Sequence, residues 1–130
     1  LKIYIANCAL MVEADACIAN LTPFRGASMD VGTAFEVGYM TALNKRVYGY
    51  TNNGNRYFER ATDVPGRWPS DAPVDDNGYA IENFGNVDNL MIDRAIVCGT
   101  QASIARPMAT APDNDLHTFE LAVKWATQRN

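Results

Sequence analysis

The residues with the clearest potential for chemistry lie in one short segment, residues 30–39, whose sequence is DVGTAFEVGY. It follows an apolar run and opens a stretch predicted to be helical, and in open α/β sheets this is where ligands bind. Asp30 and Glu36 supply two carboxylates, which can serve as a hydroxyl-binding group and a nucleophile. Gly32 allows the backbone to approach a ligand closely. Glu36 is expected within about the first helical turn, where the helix dipole favours an ionised carboxylate.

The same spacing also has a purely structural explanation. Asp30 is a suitable N-cap for the helix, and Glu36 fits a solvated acid of its first turn. Gly38 fits a position where a helix and a sheet pack closely. The spacing alone favours this structural explanation over the functional one.

The elements that position this segment alternate between strand and helix. The apolar run before it is typical of a strand that is buried on both faces of a parallel sheet. The alternation predicts a parallel sheet with helices on both faces. Strands are predicted at residues 2–6, 16–21 and 46–50, and helices at residues 7–14 and 30–44.

The second half of the chain has a different character. Residues 51–88 are rich in Asn, Asp, Gly and Pro, and only residues 56–61 are expected to form a helical turn or two. Residues 90–92 and 94–98 have strand-like apolar character. A last helix is expected to be capped by Asp115, with one apolar face. That face consists of Leu116, Phe119, Ala122, Val123 and Ala126.

The connection between the first two predicted strands is too short. Only about nine residues separate residues 2–6 from residues 16–21, whereas a parallel crossover needs roughly a dozen or more. We therefore expect that the sequence joins two segments at Ala6 and Asn7 that are not adjacent in the full protein. A Cα separation of about 3.8 Å at that bond would contradict the hypothesis.

Composition excludes several classes of function. A chain of 130 residues with net charge −4 has the size of one domain and lacks a basic surface for nucleic acid. No apolar stretch approaches the roughly 20 residues of a membrane span, and no leader pattern is present, so the expected location is the cytoplasm. Cys8, Cys17 and Cys98 are expected to be reduced and structural, and His117 has no ligand cluster around it. Without a phosphate-loop or dinucleotide motif, neither a metal nor a cofactor is expected.

A resemblance to a known family adds to these expectations. Residues 30–39 resemble a motif of the nucleoside 2-deoxyribosyltransferase family, and further segments match that family in the same order over somewhat under half of the sequence. The resemblance implies one flavodoxin-like α/β domain over residues 1–130, a three-layer sandwich with a mostly parallel central sheet. The other matching segments are residues 2–6, 14–21, 23–26, 42–45 and 88–91.

The resemblance also implies a role for each matching residue. Glu36 corresponds to the nucleophile, which attacks the anomeric carbon and forms a 2-deoxyribosyl ester, and Tyr4 to a tyrosine that orients it. Asp30 corresponds to the acid that binds a deoxyribose hydroxyl. Asn89 corresponds to an asparagine that reaches the site of a neighbouring subunit, which implies a homo-oligomer. The predicted substrate-binding set is completed by Gly32, Phe24, Arg25 and Met91.

The implied activity is the transfer of 2-deoxyribose between nucleobases, with a deoxynucleoside and a free nucleobase as partners and neither nucleic acid nor a membrane. One alternative is a hydrolase of 2'-deoxynucleoside 5'-monophosphates, in which Arg25 or Ser28 binds the phosphate. Another is a non-catalytic nucleotide-binding module. Family members also carry a helix, a strand and a loop with a base-acting aspartate after the first strand, and nothing fills that place here. The residue that protonates the base and the preference for purine or pyrimidine stay open.

Overall fold

A three-stranded, all-parallel sheet forms the centre of the protein in the computed structural model, which describes residues 1–61, 74–75 and 77–128. The predicted parallel sheet is confirmed, and the strands predicted at residues 16–21 and 46–50 both form. The strands are β1 Ala16–Asn20, β2 Arg46–Tyr50 and β3 Ile104–Ala105, in the order β1-β2-β3. β1 pairs with β2 along its whole length, and β2 pairs with β3 over two residues.

Helices pack on this sheet in two groups. The helices are α1 Lys2–Glu13, α2 Val31–Ala42, α3 Tyr57–Ala61, α4 Leu90–Arg94 with the π-helical segment Ala95–Gly99, and α5 His117–Thr127. α2 connects β1 to β2 and packs on both strands and on the π-helical segment, while α5 contacts all three strands. The flavodoxin-like three-layer arrangement is thereby confirmed.

The largest buried side chains hold α2 against the sheet. Val37 and Met40, three residues apart on one face of α2, are fully buried together with Val47 of β2, Leu21 and Ile96. Burying each such side chain contributes roughly 1.5–3 kcal/mol. This packing fixes the rotation of α2, and with it the direction in which the neighbouring Glu36 side chain leaves the helix.

The prediction of a strand at residues 2–6 is wrong. Lys2–Glu13 is one helix, α1, and none of its residues is buried. The β-branched and aromatic side chains at its start favour a strand only where a partner strand and a packing surface exist. Among the described residues, no strand pairs with β1 on its other edge, so the backbone of residues 2–6 satisfies its polar groups within a helix. Lys45 closes the end of this helix, since its Nζ donates to the carbonyl oxygens of Met11 at 3.0 Å and Ala14 at 2.6 Å.

This correction bears on the short connection. α1 continues without a break through Ala6 and Asn7, so no crossover between two strands has to fit into the residues before β1. The argument from crossover length therefore loses its premise. The hypothesis that a segment is missing at this bond stays a prediction, and the sequence of the transcript that encodes the chain would test it.

The strand-like character predicted for residues 90–92 and 94–98 is also wrong. These residues form α4 and the π-helical segment, because Asn89 caps the helix by accepting a hydrogen bond from the N–H of Met91 at 3.0 Å. A short apolar run is compatible with either a buried strand or a buried helix. The third strand of the sheet is instead the two-residue β3. Within the described residues, no helix is both long and apolar enough to cross a membrane.

Candidate functional site

Glu36 occupies the second turn of α2. It is the sixth residue of a helix that begins at Val31, so the expectation of a first-turn position is wrong. The effect of the helix dipole is confined to about the first turn, so Glu36 lies beyond its main reach. The side chain is half-buried, and within the described part of the chain it makes no hydrogen bond or ion pair.

Glu36 lines a cavity of about 290 Å³ between α1, β1 and α2. Its walls are mostly apolar, and among the described lining residues Glu36 alone carries a charge. A volume near 300 Å³ is at the lower end of small-molecule sites and suits a sugar or a single base. The lining residues are Asn7, Leu10, Met11, Ala14, Ala16, Cys17, Glu36 and Met40.

Cys17 faces the same cavity from β1. Burial raises the pKa of the Cys17 thiol, and the negative charge of Glu36 raises that pKa further. The thiol is therefore neutral at physiological pH and adds no second negative charge beside Glu36. Sequence reasoning assigned Cys17 a structural role only, and no spacing signal connects it with Glu36, which lies on a different element.

Asp30 caps α2. Its Oδ2 accepts a hydrogen bond from the N–H of Gly32 at 2.9 Å, and the side chain is otherwise exposed. A Cβ atom added at Gly32 would lie 2.8 Å from that same oxygen, so the Asp30 carboxylate would have to shift to admit a larger residue. The structural explanation of Asp30 as the N-cap of α2 is thus confirmed.

Phe24 and Arg25 lie in a tight loop after β1. The N–H of Phe24 donates to the carbonyl oxygen of Ser28 at 2.9 Å, which closes the loop. Arg25 has a positive φ of 55°, and its guanidinium carbon lies 4.9 Å from the centre of the Phe24 ring. Both side chains are exposed, so they are available to a ligand at this edge. The Ser28 hydroxyl, by contrast, donates to the Asp88 carboxylate, which leaves it less suited to bind a phosphate.

Tyr4 lies on α1 rather than on a strand. Its ring centre is 6.0 Å from that of Phe35, the residue before Glu36, and the neighbouring Cys8 thiol raises the pKa of the phenol. The strand position expected for Tyr4 is therefore wrong. Its predicted role in orienting the nucleophile stays a prediction.

Asn89 and Met91 begin α4. The Asn89 Oδ1 atom is the helix cap, and its Nδ2 group donates to Glu82 Oε1 at 2.9 Å. Met91 is 74% exposed. An amide oxygen has two lone pairs and an amide nitrogen two protons, so Asn89 retains capacity for a further partner. A reach into a neighbouring subunit stays a prediction.

The predicted residues form two groups. Glu36 faces the cavity near α1, and none of the other predicted residues lines that cavity. The second group lies around Asp88, a carboxylate that is 0% exposed and that sequence reasoning missed. Asp88 hydrogen-bonds to Met29, next to Asp30, and to Asn89, and so links the Phe24–Arg25 loop and Asp30 with Asn89. Its place directly before Asn89 in the late motif was the one available signal.

Metal ligation has no geometric support in the described ranges, residues 1–61, 74–75 and 77–128. No three His, Cys, Asp or Glu side chains come together there in a way that would hold an ion.

Comparison with known proteins shows the family of the chain. A family model described as nucleoside 2-deoxyribosyltransferase matches residues 1–91. The chain belongs to the nucleoside 2-deoxyribosyltransferase family. Every residue predicted for the site, from Tyr4 to Met91, lies within the part that matches this family of transferases.

Individual relatives of the family cover part of the chain. The solved structure of a 2-desoxiribosyltransferase from Leishmania mexicana is 35% identical with a TM-score of 0.56, and the match covers 70% of this chain and 54% of that one. An uncharacterized protein from Schizosaccharomyces pombe is 46% identical over 61 residues, which are 46% of this chain and 29% of the relative. The chain thus spans about half the length of the Leishmania transferase and under a third of the yeast protein.

Proposed function

We propose that this protein transfers 2-deoxyribose between nucleobases, with Glu36 as the nucleophile. The observation that carries the proposal is the position of Glu36, a half-buried residue that lines a mostly apolar cavity and makes no hydrogen bond or ion pair to the described residues. A carboxylate so placed is free to meet a positively charged carbon. Membership of a transferase family and the likeness to the Leishmania enzyme support the same activity.

The reaction follows from the chemistry of the N-glycosidic bond. As the bond between base and sugar breaks, the sugar develops oxocarbenium character, which a nearby carboxylate stabilises and then captures as an ester at C1'. The departing base takes the electron pair of the broken bond and a proton from a general acid. A second base then attacks C1', displaces the Glu36 carboxylate and loses its proton, which regenerates the enzyme.

The sugar requires groups that hold its hydroxyls while this happens. We assign that task to Asp30, whose exposed carboxylate retains an oxygen beyond the one that caps α2. A hydroxyl donating to a carboxylate makes a charge-assisted hydrogen bond, which is stronger than a neutral one. The exposed Phe24 ring offers an apolar face for the flat base.

The experiment that tests the proposal uses a deoxynucleoside together with a different free base. The wild-type protein should form the exchanged deoxynucleoside, while Glu36→Ala should lose roughly 1,000-fold or more in rate, as expected when a nucleophile is removed. Glu120→Ala is the matched control, because Glu120 is an exposed helical glutamate on α5. Retention of most activity by Glu36→Ala would overturn the assignment.

The same incubation separates the alternatives. Free deoxyribose without exchange would indicate the hydrolase. Mass spectrometry after incubation with a 2-fluoro-2-deoxynucleoside should show a trapped adduct on Glu36, because the fluorine slows release of the ester. Binding without an adduct would favour the non-catalytic module.

A homo-oligomer with shared sites is a further part of the proposal. If Asn89 completes the site of a neighbouring subunit, the inactive variants Glu36→Ala and Asn89→Ala should complement each other when mixed. In a randomly mixed dimer about a quarter of the sites would carry both native residues. Activity in the mixture that equals the sum of the separate variants would contradict the shared site.

A further inference from the structure

Asp88 is a completely buried carboxylate with four partners. Its Oδ2 accepts from the N–H of Met29 at 3.0 Å and lies 3.6 Å from the Arg60 guanidinium. Its Oδ1 accepts from the N–H of Asn89 at 2.7 Å and from the Ser28 hydroxyl. A buried charge is tolerated only when it is paired and its lone pairs are used, and here both conditions are met.

Arg60 complements Asp88 and holds the same part of the chain. Its Nε donates to the carbonyl oxygen of Ala27 at 2.8 Å, and its terminal nitrogens donate to those of Val87 at 2.7 Å and Asn55 at 2.6 Å. Burial lowers the pKa of Arg60, and the charge of Asp88 opposes that shift. Residues 27, 28 and 29 thus each make one hydrogen bond to the Arg60–Asp88 ion pair.

The segments attached to the ion pair are those that carry the predicted substrate-binding residues. The carbonyl oxygen of Ser28 closes the loop that presents Phe24 and Arg25, and Met29 directly precedes Asp30. Asn89 follows Asp88 at the start of α4. A single carboxylate therefore sets the relative position of two binding segments that are about 60 residues apart in the sequence.

We propose that Asp88, with Arg60, is a positioning residue that holds Asp30, the Phe24–Arg25 loop and Asn89 in register for substrate binding; the proposal rests on the function proposed above. Asp88 has no exposed surface and therefore acts through the residues that it holds. A misplacement of about 1 Å in a substrate-positioning group can cost roughly 100-fold in rate, so the arrangement has functional weight beyond stability.

The test compares Asp88→Asn with Asp93→Asn. Asp93 is also a buried acid of this region, but its carboxylate accepts from the N–H of Val87, and among the described residues it makes no side-chain hydrogen bond to residues 24–30 or to Asn89. At a temperature where both variants are folded, Asp88→Asn should raise the KM for the deoxynucleoside at least about tenfold more than Asp93→Asn, with a smaller change in kcat. Equal kinetic effects in the two variants would overturn the proposal.

A milder variant serves if Asp88→Asn does not fold. Ser28→Ala removes one hydroxyl donor to Asp88 without uncovering a buried charge, and Ser28→Thr retains a hydroxyl. With a deoxynucleoside that carries no phosphate, Ser28→Ala should raise the KM several-fold and Ser28→Thr should restore most of it. An unchanged KM in Ser28→Ala would contradict the positioning role.

Amide hydrogen exchange separates this inference from the proposed function. In Asp88→Asn, or in Ser28→Ala if the former does not fold, exchange should rise at residues 24–30 and at Asn89, and Asp93→Asn should leave residues 24–30 protected. Exchange confined to residues 86–94 in every variant would overturn the structural link. A wild-type protein that neither exchanges bases nor forms the Glu36 adduct would overturn the proposed function and the substrate part of this inference, while the amide exchange still reports on the link.

Discussion

The carboxylate of Asp30 accepts a hydrogen bond from the N–H of Gly32 at 2.9 Å, in the first turn of the helix that carries Glu36. One oxygen of Asp30 is thus committed to the fold, while the side chain remains exposed. The structural and the functional explanation of this residue are therefore compatible, and they predict different results for two substitutions.

Asp30→Asn should leave stability almost unchanged but weaken substrate binding. Asparagine caps a helix as well as aspartate does, whereas Asp30→Ala should cost about 1 kcal/mol of unfolding free energy. A neutral amide loses the charge-assisted bond to a sugar hydroxyl, so both variants should raise the KM for a deoxynucleoside roughly tenfold or more. Urea unfolding and steady-state kinetics measure the two effects, and an unchanged KM in Asp30→Asn would leave Asp30 as a helix cap only.

Cys17 should resist alkylation until the solution is alkaline. Because burial and the Glu36 charge raise the pKa of its thiol, the reactive thiolate is scarce near neutral pH. Glu36→Gln removes the negative charge, so the Cys17 pKa should fall and labelling should begin at lower pH. Iodoacetamide labelling read by mass spectrometry measures this, with the exposed Cys98 as an internal reference that should not change.

Two results would contradict this prediction for Cys17. Labelling of Cys17 as fast as that of Cys98 at neutral pH would show that the cavity is open to solvent and that the thiol is not desolvated. Labelling that is unaffected by Glu36→Gln would separate the two side chains and weaken the placement of Glu36 in this cavity.

The part of the fold that sequence patterns predict is the part with strong local signals. The continuous apolar runs at β1 and β2 and the capping aspartate before α2 each specify their element within a few residues. The segment from Asp30 to Glu36 was located in this way, because a cap, a glycine and a helical period coincide there.

The remainder depends on contacts between distant residues. Residues 2–6 have the composition of a strand, but they pair with no strand in the part of the chain that the structure describes, and a local sequence pattern carries no information on pairing. The pairing of Arg60 with Asp88 joins residues that lie in the polar stretch and at its end, where no periodicity guides prediction. The cavity beside Glu36 lies between α1, β1 and α2, so its lining residues could not be predicted from any one of these elements alone.

Two glycines should respond in opposite directions to alanine. At Gly49, in β2, an added Cβ would lie 2.8 Å from Leu21 Cδ1 and 3.0 Å from Ile104 Cγ1, so Gly49→Ala should cost about 1–3 kcal/mol through overpacking. At Gly38, in α2, nothing lies within 4 Å of an added Cβ, and Gly38→Ala should stabilise the helix by about 0.5–1 kcal/mol. Urea midpoints at a constant m-value measure both. A loss of stability in Gly38→Ala would show that α2 packs against something absent from the single chain.

Asn52 should be the most sensitive polar residue outside the site. Its buried amide group donates to the carbonyl oxygens of Pro112 at 3.0 Å and Asp115 at 2.9 Å, and its Oδ1 accepts from the Thr118 hydroxyl at 2.8 Å. Asn52→Ala should therefore cost about 2–3 kcal/mol, at roughly 1 kcal/mol for each lost bond. Asn53→Ala is the matched control, because that side chain accepts one local hydrogen bond from the N–H of Asn55 and should cost under about 1 kcal/mol.

Asn52→Asp sharpens the same prediction through its pH dependence. The new carboxylate would replace the donating amide group that faces the Pro112 and Asp115 carbonyl oxygens, so the charged form would be repelled and its pKa raised above that of a free aspartate. An acid whose pKa is raised by folding is tolerated while it is protonated, so the variant should be more stable at low pH and lose stability as the pH rises through neutral. Thermal unfolding across that pH range, with wild type alongside, measures the difference. A pH-independent loss equal to that of Asn52→Ala would mean that the side chain turns away and that the three hydrogen bonds do not hold the loop before α5.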